Sequence, residues 1–114
     1  MCIRDSNKSA KAVVEKNILH CGLQDRANIY LSDAVSYASR SATYDIVFLD
    51  PPYHKNLVDK VLPLVTANMS DGGIIACETA KDEALPESCA GFSVAKEKKY
   101  GKIKLTLYRK DAEE

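Results

Sequence analysis

The run YDIVFLDPPY, residues 44–53, is the feature that most restricts how this chain can fold. Its first part is almost continuously apolar, as in strands of a parallel sheet that are covered on both faces. Proline has no backbone N–H and cannot continue a strand ladder, so Pro51 and Pro52 should end the strand at Asp50. The sequence therefore predicts a buried strand over 44–50 whose carboxyl end carries an acidic side chain.

Segments of helical and strand character alternate around this run. Apolar residues spaced three and four apart predict an amphipathic helix that begins at residue 6 or 7 and ends at Gly22. The next predicted elements are, in chain order, a strand over 27–33, a short helix over 34–41, the strand over 44–50, a helix over 54–73 kinked or split at Pro63, and a strand over 74–79.

The C-terminal segment predicts a β-hairpin, with strands over about 92–98 and 102–109 and a turn at Tyr100-Gly101. The whole pattern indicates an α/β fold with a mostly parallel sheet and an antiparallel hairpin at its end. In such sheets ligands bind beyond the carboxyl ends of the strands, which is where Asp33 and Asp50 lie.

Charge is distributed unevenly, although 16 basic residues balance 16 acidic ones overall. The segment from Phe92 to Lys110 has seven Lys or Arg residues and one acidic residue, Glu97. Such a segment is either a solvated sheet edge that discourages aggregation or a surface that binds nucleic-acid phosphates. The residues alone leave both interpretations open.

Composition limits the other function classes. With 46% hydrophobic and 28% charged residues, 114 residues predict one soluble domain. The longest apolar runs are too short to span a bilayer and no signal-peptide pattern is visible, so a cytoplasmic protein without a membrane partner is expected. The cysteines and histidines have no metal-ligand spacing, which predicts no metal site and buried, reduced thiols.

The four residues Asp50, Pro51, Pro52 and Tyr53 suit the binding of a planar amino group. A carboxylate just beyond a buried strand and the neighbouring Pro51 carbonyl are both hydrogen-bond acceptors, and the prolines stiffen the loop that carries them. The tyrosine ring offers a flat surface on which a base can stack. Two acceptors would hold an exocyclic –NH2 while its nitrogen attacks an electrophile. A strand-to-helix turn with a capping Asp and a packed Tyr is the alternative.

The same residues resemble the (D/N)PP(Y/F) motif of S-adenosylmethionine-dependent amino-methyltransferases. Together with NKSAKAVVEKNI, the SDA at 32–34, DGGIIACE and KKYGKIKLTLYRK, they resemble the RsmD family of bacterial 16S rRNA guanine-N2 methyltransferases over about residues 7–110. The resemblance implies a Rossmann-like methyltransferase fold, S-adenosylmethionine as cofactor, and 16S rRNA as substrate in the small ribosomal subunit or its assembly intermediate. It also implies a monomer.

The resemblance assigns roles to individual residues. Asp50 and the Pro51 carbonyl would accept hydrogen bonds from guanine N2, with Pro52 stiffening the loop and Tyr53 stacking on the base. Asp33 and Ala34 would lie near the adenine of the cofactor, although Asp33 could equally be a helix cap. Glu78 would line the substrate pocket. Basic residues of the hairpin would contact rRNA phosphates, and the residues chosen are Lys98, Lys99 and Lys102.

The chain departs from the family at its beginning. The glycine-rich cofactor loop that follows the family's first strand is absent, and residues 1–6, MCIRDS, match a translated sequencing adaptor better than a natural start. The expectation is therefore a non-native scar over 1–6, followed by the C-terminal part of one methyltransferase domain over 7–114. Without the first strands, the remaining apolar strands should expose open edges, and the isolated chain should be poorly stable.

Two other functions remain as alternatives. An adenine-N6 DNA methyltransferase could use the same motif, because the motif recognises an amino group rather than one base. A phospho-receiver signalling domain also presents an aspartate at the end of such a strand. It would need an acidic pair near the N-terminus, which this chain lacks, and a residue other than proline after the aspartate.

Overall fold

A computed structural model describes residues 1–51 and 57–111, and these fall into two compact units, Met1–Arg40 and Ser41–Glu114. Each unit has its own β-sheet, the first with two strands and the second with five. None of the helices in the described ranges is long and apolar enough to cross a membrane. The α/β fold expected from the sequence is confirmed.

The first unit is built around helix α1, Lys8–His20. It begins where the sequence predicts, because the side-chain oxygen of Asn7 accepts a 3.0 Å hydrogen bond from the backbone N–H of Ala10. Gly22 follows the helix with φ of +70°, the left-handed conformation that commonly ends helices. No residue of α1 is buried.

Two parallel strands complete this unit together with a short helix. Strand β1, Cys2–Asp5, pairs in register with strand β2, Asn28–Leu31. Helix α2, Ala34–Ala38, follows β2. The sequence interpretation set residues 1–6 aside, whereas four of them form β1; that the segment is a scar stays a prediction.

The second unit holds the remaining elements in one mixed sheet. They are β3 Tyr44–Leu49, α3 Leu57–Thr66, β4 Met69–Ala80, β5 Ser88–Cys89, β6 Phe92–Tyr100 and β7 Ile103–Lys110. The strand order is β3-β4-β7-β6-β5, with β3 and β4 parallel and the other pairs antiparallel. Among the described strands this sheet is therefore mixed, and the prediction of a mostly parallel sheet is wrong for it. The predicted hairpin is confirmed as β6 and β7. Its two-residue turn is Gly101-Lys102, one residue later than the predicted Tyr100-Gly101, because Tyr100 still pairs with Ile103. Gly101 has the positive φ, +58°, that such turns favour.

The prediction of a helix over 54–73 is wrong at its C-terminal end. Helix α3 stops at Thr66, and β4 begins at Met69 because this residue already pairs with Tyr44 of β3. Gly73 permits the close approach of the two strands. A Cβ atom there would lie 2.6 Å from the Met69 methyl carbon and 3.2 Å from the backbone oxygen of Asp45.

One face of this sheet carries the core. Four apolar residues of α3 are buried against it, together with Ile75, Cys77 and Tyr108 of the sheet; the four are Val58, Val61, Leu62 and Val65. The prediction of a buried strand over 44–50 is wrong for β3, on which Ile46 and Phe48 remain 74% and 59% exposed. Strand β3 pairs with β4 only among the described strands, so the open edge expected from the sequence is present.

The cysteines do not share one environment. Cys77 is fully buried and Cys89 is half-buried, but Cys2 and Cys21 are exposed. The expectation of buried thiols is therefore wrong for the two cysteines of the first unit, because neither its β1 strand nor the end of its helix is covered by other residues.

Candidate functional site

Two acidic side chains meet at the carboxyl end of the β3–β4 pair. The register places Leu49 beside Cys77, so the residues that follow them, Asp50 and Glu78, are also neighbours. Asp50 lies close enough to Glu78 to raise the pKa of the Glu78 carboxyl. The structure thus brings together two residues that the sequence had assigned to one pocket from separate segments.

A hydrogen bond between two carboxyl groups needs a proton on one of them. The hydrogen bond to Asp50 raises the pKa of Glu78, and desolvation and the repulsion between the two negative charges raise it further. The affinity of Glu78 for a proton is therefore increased. Asp50, which is exposed, stays available as an acceptor for a ligand beyond the strand end.

The rest of the proline motif is described only in part. Pro51 is half-buried and lies outside any helix or strand, directly after Asp50. The predicted roles of Pro52 and Tyr53 fall on residues outside the described ranges. Of the groups predicted to bind an amino group, the structure therefore describes two acceptors, the Pro51 carbonyl and the Asp50 carboxylate.

Asp33 forms the N-terminal cap of α2. Its side-chain oxygen accepts a 2.9 Å hydrogen bond from the backbone N–H of Ser36, and Ala34 is the first residue of the helix. Hydrogen bonds from the side chain and backbone of Ser36 are the main reason that the pKa of Asp33 is lowered. The cap, which the sequence weighed equally against a cofactor role, is therefore present. The cap engages the Oδ1 oxygen of the carboxylate.

The three lysines chosen for RNA do not form one group. Lys99 and Lys102 line a shallow depression of about 590 Å³ at the end of the hairpin. Lys98 instead holds its ammonium 5.6 Å from the ring centre of Tyr100. Neighbouring residues of a strand point to opposite faces, which separates Lys98 from Lys99.

Sequence reasoning missed two further residues of this depression, Lys81 and Asp82. The backbone N–H of Lys81 donates a 2.9 Å hydrogen bond to the Lys102 carbonyl, which joins the end of β4 to the hairpin turn. The available signal was position, because Lys81 follows the predicted strand 74–79 at its carboxyl end. It was overlooked because it lies outside the basic C-terminal segment.

The basic segment is also less exposed than its sequence indicates. Lys104 is only 6% exposed and donates a hydrogen bond to the Glu83 carbonyl. Lys110 forms a 2.6 Å ion pair with Asp71 at the opposite end of β7. The charge available to a nucleic acid is thus concentrated at the hairpin turn. Among the described residues no group of three or more His, Cys, Asp or Glu side chains could hold a metal ion.

Residues 1–109 match the model of a protein family described as "Conserved hypothetical protein 95". The "Ribosomal RNA small subunit methyltransferase D" of Escherichia coli strain K12 is 30% identical over 90 residues, covering 76% of this chain and 46% of that protein. The protein of the same name from Haemophilus influenzae is 31% identical over 111 residues, or 90% of this chain and 56% of that protein. The chain therefore spans about half the length of these curated relatives.

A solved structure shows the same fold. A "conserved hypothetical protein" of Streptococcus pyogenes superimposes with a TM-score of 0.89 and 29% sequence identity, over 96% of this chain and 71% of that one. A likeness over almost the whole chain at this score means that the order and packing of the described elements are those of an existing fold.

Proposed function

This chain belongs to the RsmD family of methyltransferases, described as "Conserved hypothetical protein 95", and from that premise we propose that its protein transfers a methyl group to 16S rRNA. The proposed acceptor is the exocyclic N2 of a guanine, and the proposed methyl donor is S-adenosylmethionine. The single observation that carries the proposal is the exposed Asp50 carboxylate directly after β3, beside Glu78.

The proposed role of Asp50 follows from the weak nucleophilicity of a guanine amino group, whose lone pair is delocalised into the ring. An acceptor on each N–H, the Asp50 carboxylate and the Pro51 carbonyl, would hold the amino group in place and favour the lone pair staying on nitrogen. Glu78, beside Asp50, would line the same pocket. Tyr53 is expected to stack on the base.

Part of the cofactor site fits the residues that are present. The Asp33 carboxylate, which caps α2, could also accept from the adenine amino group of S-adenosylmethionine, beside Ala34. When bound, this cofactor supplies an electrophilic methyl group. No residue of the chain is assigned to its methionine part, because the glycine-rich loop of the family is absent from the sequence.

The site supports methylation better than the two alternatives. Family membership argues against a phospho-receiver domain, and Pro51 directly after Asp50 does so independently. An adenine-N6 DNA methyltransferase would use the same acceptors, so only the substrate separates it from the proposed function. The names of the relatives favour rRNA.

The test is methyl transfer from labelled S-adenosylmethionine by the gene product in its full natural length, on 16S rRNA, small subunits and DNA. We expect label in guanine N2 of the rRNA. Asp50→Asn should lower the rate about 100-fold, because it replaces a charged acceptor with a weaker one. Asp45→Asn is the matched control, since Asp45 lies on the same strand and bonds Ser70 at the other end. Label in DNA but not in rRNA would overturn the proposal.

A further inference from the structure

The depression at the hairpin turn unites two separate segments of the chain. Lys81 and Asp82 follow β4, whereas Lys99, Gly101 and Lys102 belong to the hairpin. Residues that pair across strands share a sheet face, and Thr79 pairs with Lys104, which pairs with Lys99. Alternate residues along a strand lie on the same face. Lys81, two residues after Thr79, and Lys102, two residues before Lys104, therefore share this face with Lys99.

The backbone around the depression is held in place. The hydrogen bond between Lys81 N–H and the Lys102 carbonyl fixes the distance between the two segments. On the other side of Lys81, the Ala80 N–H donates a 2.8 Å hydrogen bond to the Glu83 carboxylate, and the buried Lys104 ammonium donates to the Glu83 carbonyl. The segment after β4 is thus anchored before any ligand binds.

The depression is rich in positive charge. Its lining has three ammonium groups and one carboxylate, that of Asp82. Within the described ranges, none of Lys81, Lys99 and Lys102 forms a side-chain hydrogen bond or ion pair, and all three are exposed. Three unpaired ammonium groups around one open depression are what a phosphate group requires of its binding site.

The position of the depression relates it to the carboxyl pair. Lys81 lies three residues beyond Glu78 in the same direction, or about 10 Å at the rise of an extended strand. The Asp50–Glu78 pair and the lysine depression therefore lie at the same end of the sheet but on opposite faces. The pair lies on the face that carries Ile46, and the lysines lie on the face covered by α3. A nucleotide whose base reaches Asp50 would bring neighbouring phosphates across this end.

We infer that Lys81, Lys99 and Lys102 form a binding site for an RNA phosphate next to the target nucleotide, with Lys81 as its central residue. The inference rests on the proposed function for the identity of the nucleic acid. It gives the hairpin turn a defined role: the turn holds the RNA backbone where it crosses the end of the sheet. Lys98, on the opposite face, lies outside this phosphate site.

The test is the salt dependence of 16S rRNA binding by the gene product in its full natural length. Each phosphate contact contributes to the slope of log affinity against log salt concentration. Lys81→Gln should weaken binding and reduce this slope by about one unit. The matched control is Arg109→Gln, which removes one positive charge from the same hairpin about 24 Å from the turn and should leave the slope unchanged.

Lys102→Gln provides a second variant and should reproduce the effect of Lys81→Gln. Circular dichroism melts of both variants should match the wild type, because both side chains are exposed. Equal slopes for Lys81→Gln and wild type, or equal losses for Lys81→Gln and Arg109→Gln, would overturn the phosphate site. Methyl transfer is measured in a separate assay. If the protein transfers no methyl group but Lys81→Gln still reduces the salt slope of RNA binding, the proposed function is refuted and the phosphate site is supported.

Discussion

The two compact units of this chain differ in how much they bury. Every buried residue in the described ranges lies in Ser41–Glu114, and none lies in Met1–Arg40. The carboxyl pair and the lysine depression therefore stand on a sheet that is packed on one face by α3. Asp33 lies between a strand and a short helix, β2 and α2, in the unit that has no buried residue. The site proposed for methyl transfer is therefore held by a packed sheet, whereas Asp33, the residue proposed to bind the cofactor, is held by local hydrogen bonds.

The largest expected difference between the units is in thiol reactivity. Burial raises the pKa of Cys77 to about 12, from 9.0 for an ordinary cysteine, which lowers its thiolate fraction about 1000-fold. Cys2 and Cys21 are exposed. Iodoacetamide should alkylate Cys2 and Cys21 in the folded protein and spare Cys77. Mass spectrometry then identifies the modified cysteines. Equal labelling of all three would mean that the core of the second unit is not closed.

The next largest effect is on stability, through two matched leucines. Leu62 of α3 is completely buried, and Leu62→Ala should lower the free energy of unfolding by about 2–5 kcal/mol because it leaves a cavity. Leu19 of α1 is 65% exposed, so Leu19→Ala should change it by less than about 0.5 kcal/mol. Urea unfolding measures both. A similar loss for Leu19→Ala would show that the first unit buries α1 when the protein is complete.

A smaller effect is expected at Asp33, where two substitutions separate its roles. Asp33→Ala removes the cap of α2 and should reduce both the stability of the protein and its affinity for S-adenosylmethionine. Asp33→Asn keeps a capping oxygen and should restore stability. If the carboxylate also accepts from adenine, cofactor affinity measured by calorimetry should remain low in Asp33→Asn. Wild-type affinity in that variant would leave the cap as the whole role of this residue.

The smallest effect concerns the pH dependence of stability at the carboxyl pair. The pKa of Glu78 is raised above its usual 4.5, chiefly by the hydrogen bond to Asp50, so the folded protein binds this proton more strongly than the unfolded chain. The resulting stability is complete below about pH 4.5 and is lost as the pH rises through the raised pKa. Urea unfolding at several pH values should show this decline.

Two variants check the origin of that decline. Glu78→Gln should remove it, since Gln keeps a hydrogen-bond donor and does not titrate. Glu87→Gln replaces an exposed carboxyl of the same unit and leaves the pair intact, so it should keep the wild-type profile. An unchanged decline in Glu78→Gln would assign it to other groups.

Local chemistry explains what could be predicted from the sequence. The start of α1 after Asn7, its end at Gly22 and the hairpin turn at Gly101 each depend on a few neighbouring residues; the helix ends appear as predicted, and the turn lies one residue later than predicted. The strand that ends directly before Asp50 followed from its apolar run and from the prolines after it. The RsmD resemblance, carried by motifs spread over the chain, was confirmed by the family match.

Contacts between distant segments were decided by the tertiary structure alone. Pairing with Tyr44 drew Met69 out of the predicted helix and into β4, because a strand partner competes with a helical pattern only once both strands exist. The register of β3 and β4 brought Asp50 to Glu78. The hydrogen bond between Lys81 and Lys102 created the lysine depression from two segments. The sequence by itself determined which groups stand at the strand ends, and packing decided which of them meet, since register and burial are properties of whole sheets.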